Sequence, residues 1–177
     1  MNMKGLHAAL AASFCAAPLA LAGAADSRSF EMMAYTNWPG GAEIESGDYE
    51  AAIAAAQAHL RNDDRTIALV AATNLCVALT VTGELTDAVA PCDMAVTLAK
   101  RVERETIRGY VSREEHSRAL SNRGVLRAVS GDALAAAADF RAASGMRGAA
   151  AAAHRNLAHL EGSGPSPSES LAARGPE

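Results

Sequence analysis

The sequence predicts an all-α protein, a short right-handed solenoid of stacked antiparallel helical hairpins. Three observations predict this fold: a composition dominated by small apolar residues, a glycine-centred motif that recurs along the chain, and asparagines that recur in phase with it. Half of the 177 residues are apolar but only 4% are aromatic, and alanine accounts for most of the difference. Alanine loses no side-chain entropy on entering a helix, so this composition favours helices whose backbones approach closely.

Residues 1–24 are predicted to be a cleavable signal peptide. Lys4 gives a positive start, an apolar run follows, and A-x-A pairs end at Ala22 and at Ala24, so cleavage after either is left open. The alternative is an uncleaved anchor, which Pro18 disfavours because it makes a poor spanning helix. We therefore expect a periplasmic or secreted protein. No later segment is expected to span a bilayer, so stable membrane insertion after cleavage is not predicted.

A glycine-centred motif recurs three times along the chain. Its glycines are Gly47, Gly83 and Gly131, and an alanine follows each of them by five residues. A glycine between two helices can take a positive φ and end the first helix cleanly. The alanines let the two helices of a hairpin approach closely, but one such hairpin cannot bury its apolar side alone. The motif therefore predicts hairpins that stack and share a continuous core.

Asparagines recur in phase with these glycines. Asn74 precedes Gly83 by nine residues, and Asn122 precedes Gly131 by the same distance. Asn156 follows Asn122 by 34 residues, and 34 is the period of the tetratricopeptide repeat. The common phase indicates that the hairpins are copies of one unit.

With these features the chain resembles the tetratricopeptide repeat family. That family carries small residues on the facing sides of its two helices and an aromatic residue on the second, while its tryptophan and its later proline are absent here. The resemblance implies a solenoid with a concave groove that binds a protein or an extended peptide. The matching positions are Cys76, Gly124 and Ala158 in first helices, and Ala88, Ala95, Ala136, Phe140 and Ala143 in second helices.

The predicted helical domain spans residues 47–161. Its first helix has no partner before it and forms half a repeat. Acidic residues up to Asp64 start the next helix, and Pro91 is the weak point of the helix after that. Gly109 is expected to interrupt the helical pattern, and an S-x-x-E capping box that begins at Ser112 starts a new helix. The predicted helices are 48–60, 64–82, 86–105, 112–129, 133–146 and 148–161.

The two ends of the mature chain are predicted to be non-helical. Residues 25–46 form an irregular N-terminal arm, because the run from Trp38 to Gly41 contains Pro-Gly-Gly and breaks any long helix. Residues 162–177 form a disordered tail, because they begin with a run of only Gly, Ser and Pro. The arm is rich in large apolar side chains, so we expect it to pack on the helices, either in the groove or in a dimer seam.

Charge and motif patterns argue against most classes of chemistry. The net charge is −4 and no basic face is visible, so no nucleic-acid partner is expected. His154 and His159 lie five residues apart, which is not the spacing of two ligands on one helix face, and no metal site is predicted. The sequence contains no G-x-S-x-G, no phosphate-binding loop and no recognisable carboxylate pair. We therefore expect no enzyme, no catalytic residue and no cofactor.

Two cysteines, Cys76 and Cys92, remain after the predicted cleavage. They lie seven residues before and nine residues after Gly83, so they face each other in an antiparallel hairpin that turns there. In an oxidising compartment a disulfide between them is one expectation. Two buried thiols are the other.

Nine residues are predicted to form the surface that binds a partner. The resemblance implies that Asn74, Asn122 and Asn156 point into the groove and hydrogen-bond the backbone of an extended ligand, because an amide side chain both donates and accepts. The alternative is that they stabilise neighbouring turns of the solenoid. By the same phase, the remaining six are Thr73, Val77, Thr80, Arg118, Ser121 and Val125.

The sequence thus predicts an exported scaffold or adaptor that binds a protein or an extended peptide in its groove. The alternative is an accessory subunit or inhibitor of an exported enzyme complex, which it contacts through the N-terminal arm. The predicted groove is short, so weak binding and a weak homodimer are left open. Substitution of the asparagines separates the two functions, since it removes binding only if the groove makes the contact.

Overall fold

The computed structural model describes residues 29–105 and 109–162, and in these ranges the chain is helical, which confirms the predicted all-α class. The predicted signal peptide, residues 1–24, lies outside the described residues, as does the predicted tail except for its first residue. Seven helices and no strand form within the described ranges: α1 Gly41–Ser46, α2 Tyr49–Gln57, α3 Arg65–Thr82, α4 Leu85–Glu105, α5 Gly109–Val129, α6 Ala133–Ser144 and α7 Ala151–Gly162.

Three turns between helices repeat one geometry. Gly47, Gly83 and Gly131 have φ angles of 83°, 84° and 86°, a left-handed conformation that glycine adopts without strain. In each turn the glycine N–H donates to the carbonyl three residues earlier, and the next N–H donates to the carbonyl five residues earlier. The motif found in the sequence is therefore a local structure that ends one helix and lets the chain reverse into the next.

Helices that follow one another in the chain pack side by side. Each helix contacts the helices before and after it, and α3 also contacts α5, as α5 contacts α7. The alanines that follow the turn glycines, Ala52, Ala88 and Ala136, are fully buried. Because their side chains are small, adjacent helices can approach closely at these points. Cys76 in α3 and Cys92 in α4 form a disulfide with their Cα atoms 4.8 Å apart, which is the first of the two expectations for these cysteines.

The guanidinium of Arg123 in α5 ties three helices together. Asp139 in α6 accepts hydrogen bonds from Nε and Nη2 of Arg123 in α5, at 2.8 and 2.7 Å. Nη1 of the same guanidinium donates to Asp93 in α4 at 2.9 Å. The hydrogen bond to Asp139 raises the pKa of Arg123, so the guanidinium stays charged and bridges α4 to α6.

One helix lies where the sequence predicted irregular chain. Residues 41–46 belong to the predicted arm but form α1. The helix-breaking run ends at Gly41, and Gly40 and Gly47, with φ angles of 82° and 83°, bound the short helix on both sides. The residues between the glycines are free to form a helical turn because the proline lies before them.

Other helix boundaries also differ from the predicted ones, and α2 ends at Gln57 rather than at residue 60. α5 begins at Gly109 rather than at the capping box of Ser112, since a glycine weakens a helix without forbidding it. α7 begins at Ala151, three residues later than predicted, because the connection before it contains Gly148 with a φ of 80°. α7 also extends to Gly162, which was predicted to start the tail.

α3 is long and apolar enough to cross a membrane, contrary to the expectation that no segment after the signal peptide would be. Residues 68–80 of this helix are all buried, and 72% of the apolar stretch is covered by the rest of the described chain. An apolar helix that other helices surround is a core helix, and this position explains the composition of α3.

Gly124 in α5 leaves room for the ring of Phe140 in α6. A Cβ at position 124 would lie 2.5 Å from Cε1 and 2.7 Å from Cδ1 of that ring, which is fully buried. We expect Gly124→Ala to lower the free energy of unfolding by about 1–2 kcal/mol, since overpacking outweighs the better helix propensity of alanine. Urea unfolding followed by circular dichroism measures this change.

Gly162→Ala in α7 is the matched control, because among the described residues no atom outside its own helical turn lies within 4 Å of a Cβ at that position. This variant is expected to be as stable as the parent. A Gly124→Ala chain that is also as stable as the parent would contradict the close packing of α5 on α6.

Candidate peptide-binding site

Residues 30–35, which we call the arm segment, cross three helices of the domain. Residues 31–35 form neither helix nor turn, and their backbone is hydrogen-bonded by Asn156 on α7, Asn122 on α5 and Asn74 on α3. The arm segment therefore runs from the last helix of the described chain back towards the first long one. All three asparagines predicted to bind an extended backbone are brought together along this one segment.

The three asparagines, which we call the asparagine ladder, bind every second residue of the arm segment. Each accepts a backbone N–H through Oδ1 and donates through Nδ2 to the carbonyl of the same residue. The two distances are 2.8 and 2.8 Å for Asn156 with Glu31, 2.9 and 2.9 Å for Asn122 with Met33, and 2.8 and 3.2 Å for Asn74 with Tyr35.

The period of two follows from the geometry of an extended chain. Successive residues of such a chain turn their backbone groups to opposite sides, so the N–H and C=O of alternate residues share one side. The ladder therefore reads the groups on one edge of the arm segment, as a neighbouring strand would in a sheet. Because the contact is to backbone atoms, it carries no preference for particular side chains.

The asparagines depend on the arm segment for their hydrogen bonds. All three are no more than 2% exposed, and a buried amide without a partner costs about 1–3 kcal/mol. Two of them have a further acceptor: Asn74 donates to the carbonyl of Pro39 at 3.0 Å, and Asn156 donates to Oγ of Ser121 at 3.1 Å. The ladder is therefore stable only when an extended backbone is bound to the three asparagines.

Alternate side chains of the arm segment enter the core. Phe30 is only 7% exposed and belongs to a cluster with Val125 and Phe140. Its ring stacks on that of Phe140 with 5.9 Å between centroids and meets the edge of His159 at 4.8 Å. Met32 is half-buried and packs against this cluster and against the neighbouring one around the disulfide.

Two arginines contact the arm segment from the helices. Nε and Nη2 of Arg155 in α7 donate to the two carboxylate oxygens of Glu31, each at 2.8 Å, on the protein surface. The guanidinium of Arg118 in α5 lies 4.4 Å from the ring centroid of Tyr35, within the range of a cation–π contact. Beside it, burial raises the pKa of Glu115 against the opposing effect of Arg118.

The other predicted binding residues divide into two groups. Arg118, Ser121 and Val125 join the site through Tyr35, Asn156 and the Phe30 cluster respectively. The remaining three belong to the interior of α3 and are buried: the hydroxyls of the threonines donate to carbonyls of their own helix four residues earlier, and the valine lies within the core. These three are Thr73, Thr80 and Val77.

Sequence reasoning did not identify Arg155, Phe140 or His159 as part of the site. Their partners in the arm segment lie more than a hundred residues away along the chain. The sequence around these three residues contains no pattern that would link them to the arm segment.

Among residues 29–105 and 109–162, no three His, Cys, Asp or Glu side chains are grouped so that they could hold a metal ion. A surface pocket of about 500 Å3 lies between the start of α3 and the middle of α4, with Leu60, Met94 and Leu98 in its lining, and none of the ladder contributes to it.

The chain has no match among protein-family models, curated proteins or solved structures.

Proposed function

We propose that this chain is an exported adaptor whose helical hairpins form a short right-handed solenoid, similar to tetratricopeptide repeats, with a groove that binds an extended segment of protein. The observation that carries the proposal is the asparagine ladder. Three asparagines in phase with the repeats each bind the N–H and the C=O of one residue, two residues apart along the arm segment. The repeated glycine turns and the contacts of α3 with α5 and of α5 with α7 support the solenoid.

The arm segment is then the resident occupant of the groove. A tethered segment competes at an effective concentration in the millimolar range, so a partner must either bind more tightly than the arm segment or arrive when the arm has been released. An incoming segment can replace the arm one residue at a time, because each rung of the ladder binds a single residue. At each step of this exchange only one of the three asparagines has to change its partner.

A peptide of residues 29–37 added in trans tests the proposal. The host is the mature chain, residues 25–177, with Met33→Pro, which removes the N–H that Asn122 accepts; we call it the open host. We expect the labelled peptide to bind the open host. N-methylation of the peptide at Met33 should weaken binding about 10- to 100-fold, because Oδ1 of Asn122 is left buried and unpaired.

N-methylation at Ala34 is the matched control, since this amide faces away from the ladder in an extended segment. The mature chain with Ala34→Pro should likewise keep its own arm and take up little peptide. No binding to the open host, or equal weakening by the two N-methyl groups, would overturn the proposal. If Met33→Pro prevents folding, the wild-type mature chain replaces it: Trp38, its only tryptophan, should change emission when excess peptide displaces the arm, and unchanged emission would count against the proposal.

One observation favours the second function, contact with an exported enzyme complex through the arm. Trp38, in the turn between the arm segment and α1, is 42% exposed, and exposed tryptophans are frequent anchors of protein interfaces. Trp38→Ala is expected to abolish binding of a partner in this second model while Asn122→Ala leaves it unchanged. In the groove model the two variants have the opposite effects.

A further inference from the structure

Side chains, and not the ladder, must decide which segment the groove accepts and in which register. A shift of the arm segment by two residues would present the same backbone groups to the ladder, because the contacts repeat with that period. Such a shift would place Met32 where Phe30 lies and Met33 beside Arg155. The residues that distinguish the two registers are therefore the ones that contact arm side chains.

Three sites on the helices, formed by four residues, make such contacts. The aromatic site is formed by Phe140 and His159, which hold the ring of Phe30. The acid site is Arg155, which binds both carboxylate oxygens of Glu31. The cation site is Arg118, whose guanidinium lies over the ring of the tyrosine four residues after that glutamate.

The three sites differ in how much selectivity they supply. At the aromatic site the rings of Phe30 and Phe140 are both buried, so loss of the Phe30 ring removes packing that a shorter side chain cannot replace. The acid site is exposed on both sides, with 59% and 47% of the two side chains accessible, so it contributes little affinity but sets the sign of the charge that is accepted. The cation site favours an aromatic residue, because the guanidinium of Arg118 is attracted to the face of an aromatic ring.

We infer that the groove selects partner proteins through an extended segment in which an aromatic residue, an acidic residue and an apolar residue follow one another, with a second aromatic residue four positions after the acid. This inference rests on the proposed function. The partner is a different protein that carries this pattern. The arm segment, Phe-Glu-Met-Met-Ala-Tyr, carries the same pattern and occupies the groove until the partner binds. Arg155 lies against the acidic residue of this pattern and therefore favours an acidic residue over a basic one at that position.

Peptide variants of residues 29–37 against the open host test the selectivity. Phe30→Ala is expected to weaken binding at least about 100-fold, and Tyr35→Ala about fivefold. Glu31→Arg is expected to weaken it about fivefold, and Arg155→Glu in the host should restore binding of that peptide. Thr36→Ala, at an exposed position after the arm segment, is the control and should bind like the parent peptide.

The charge exchange is the most discriminating comparison. If Arg155 had only a structural role, Arg155→Glu in the host would not restore binding of the Glu31→Arg peptide. Equal binding of all sequences, with weakening by N-methylation at Met33 retained, would overturn the selectivity and leave the proposed function standing. No binding of any peptide would overturn both. A reciprocal dimer of the open host at the concentrations used would identify a second copy of this chain as the occupant and overturn the assignment to a different partner.

If the open host does not fold, displacement from the wild-type mature chain gives the same ranking through the emission of Trp38. The order of potency expected is parent and Thr36→Ala first, then Glu31→Arg and Tyr35→Ala, with Phe30→Ala last. Equal potency of all five peptides would overturn the selectivity.

Discussion

A mature chain with Phe30→Ala is expected to lose about 3 kcal/mol of its free energy of unfolding, the lower part of the range for a buried phenylalanine. The ring is 7% exposed, stacks on Phe140 and closes the cluster at the junction of α5, α6 and α7. Because the arm segment is a single extended run, loss of this anchor should also loosen the rungs that follow. Urea unfolding followed by circular dichroism measures the first effect, and emission of Trp38 measures the second.

Leu134→Ala is the matched control for Phe30→Ala, since Leu134 is a large apolar residue that is 87% exposed. It is expected to change the free energy of unfolding by no more than about 0.5 kcal/mol. A Phe30→Ala chain with the stability of the control would mean that the arm segment is not part of the core.

Reduction of the Cys76–Cys92 disulfide is the second large effect. The bond closes a loop of 16 residues between α3 and α4, and removal of such a cross-link from the unfolded chain corresponds to about 3 kcal/mol in the chain-entropy model. Both cysteines are buried, so the reductant reaches them only when the hairpin opens. We expect the urea midpoint of the mature chain to fall when a thiol reductant is present throughout the titration.

A chain with Cys76→Ala and Cys92→Ala is the control for reduction. Its urea midpoint should be lower than that of the oxidised parent chain and should not change when the reductant is added. An identical midpoint of the parent chain with and without reductant would mean that the cross-link does not stabilise the fold.

Local features of the fold could be predicted from the sequence. The turns at Gly47, Gly83 and Gly131 depend on a glycine with positive φ and on the few residues around it, so their spacing in the sequence carried over to the structure. The facing cysteines followed from the same turn, because two residues almost equally far from a reversal must meet on adjacent helices.

Helix boundaries at which local preferences compete were harder to predict from the sequence. At the start of α5, Gly109 argued for an interruption and the capping box of Ser112 for a later start, yet the helix begins at the glycine. In the arm, the proline at position 39 correctly excluded a long helix, but it said nothing of the six residues after Gly40. A short helix of this length has a weak pattern, and its presence is decided by the packing around it.

The site was predictable only in part, because its two halves are far apart in the sequence. The phase of Asn74, Asn122 and Asn156 was visible, since it follows the repeat. The register of the arm was not: it depends on the meeting of Phe30 with Phe140 and of Glu31 with Arg155, across 110 and 124 residues of chain. Pairings over such distances leave no periodic signal in a single sequence.

The asparagine ladder holds the arm segment by alternate residues of its backbone. Hydrogen exchange of the individual arm amides in the mature chain, followed by NMR, tests this contact. We expect the amides of Glu31, Met33 and Tyr35 to exchange slowly while those of Met32 and Ala34 exchange quickly, and we expect Asn122→Ala to speed exchange most at Met33. Uniformly fast exchange from Glu31 to Tyr35, or protection without this alternation, would contradict it.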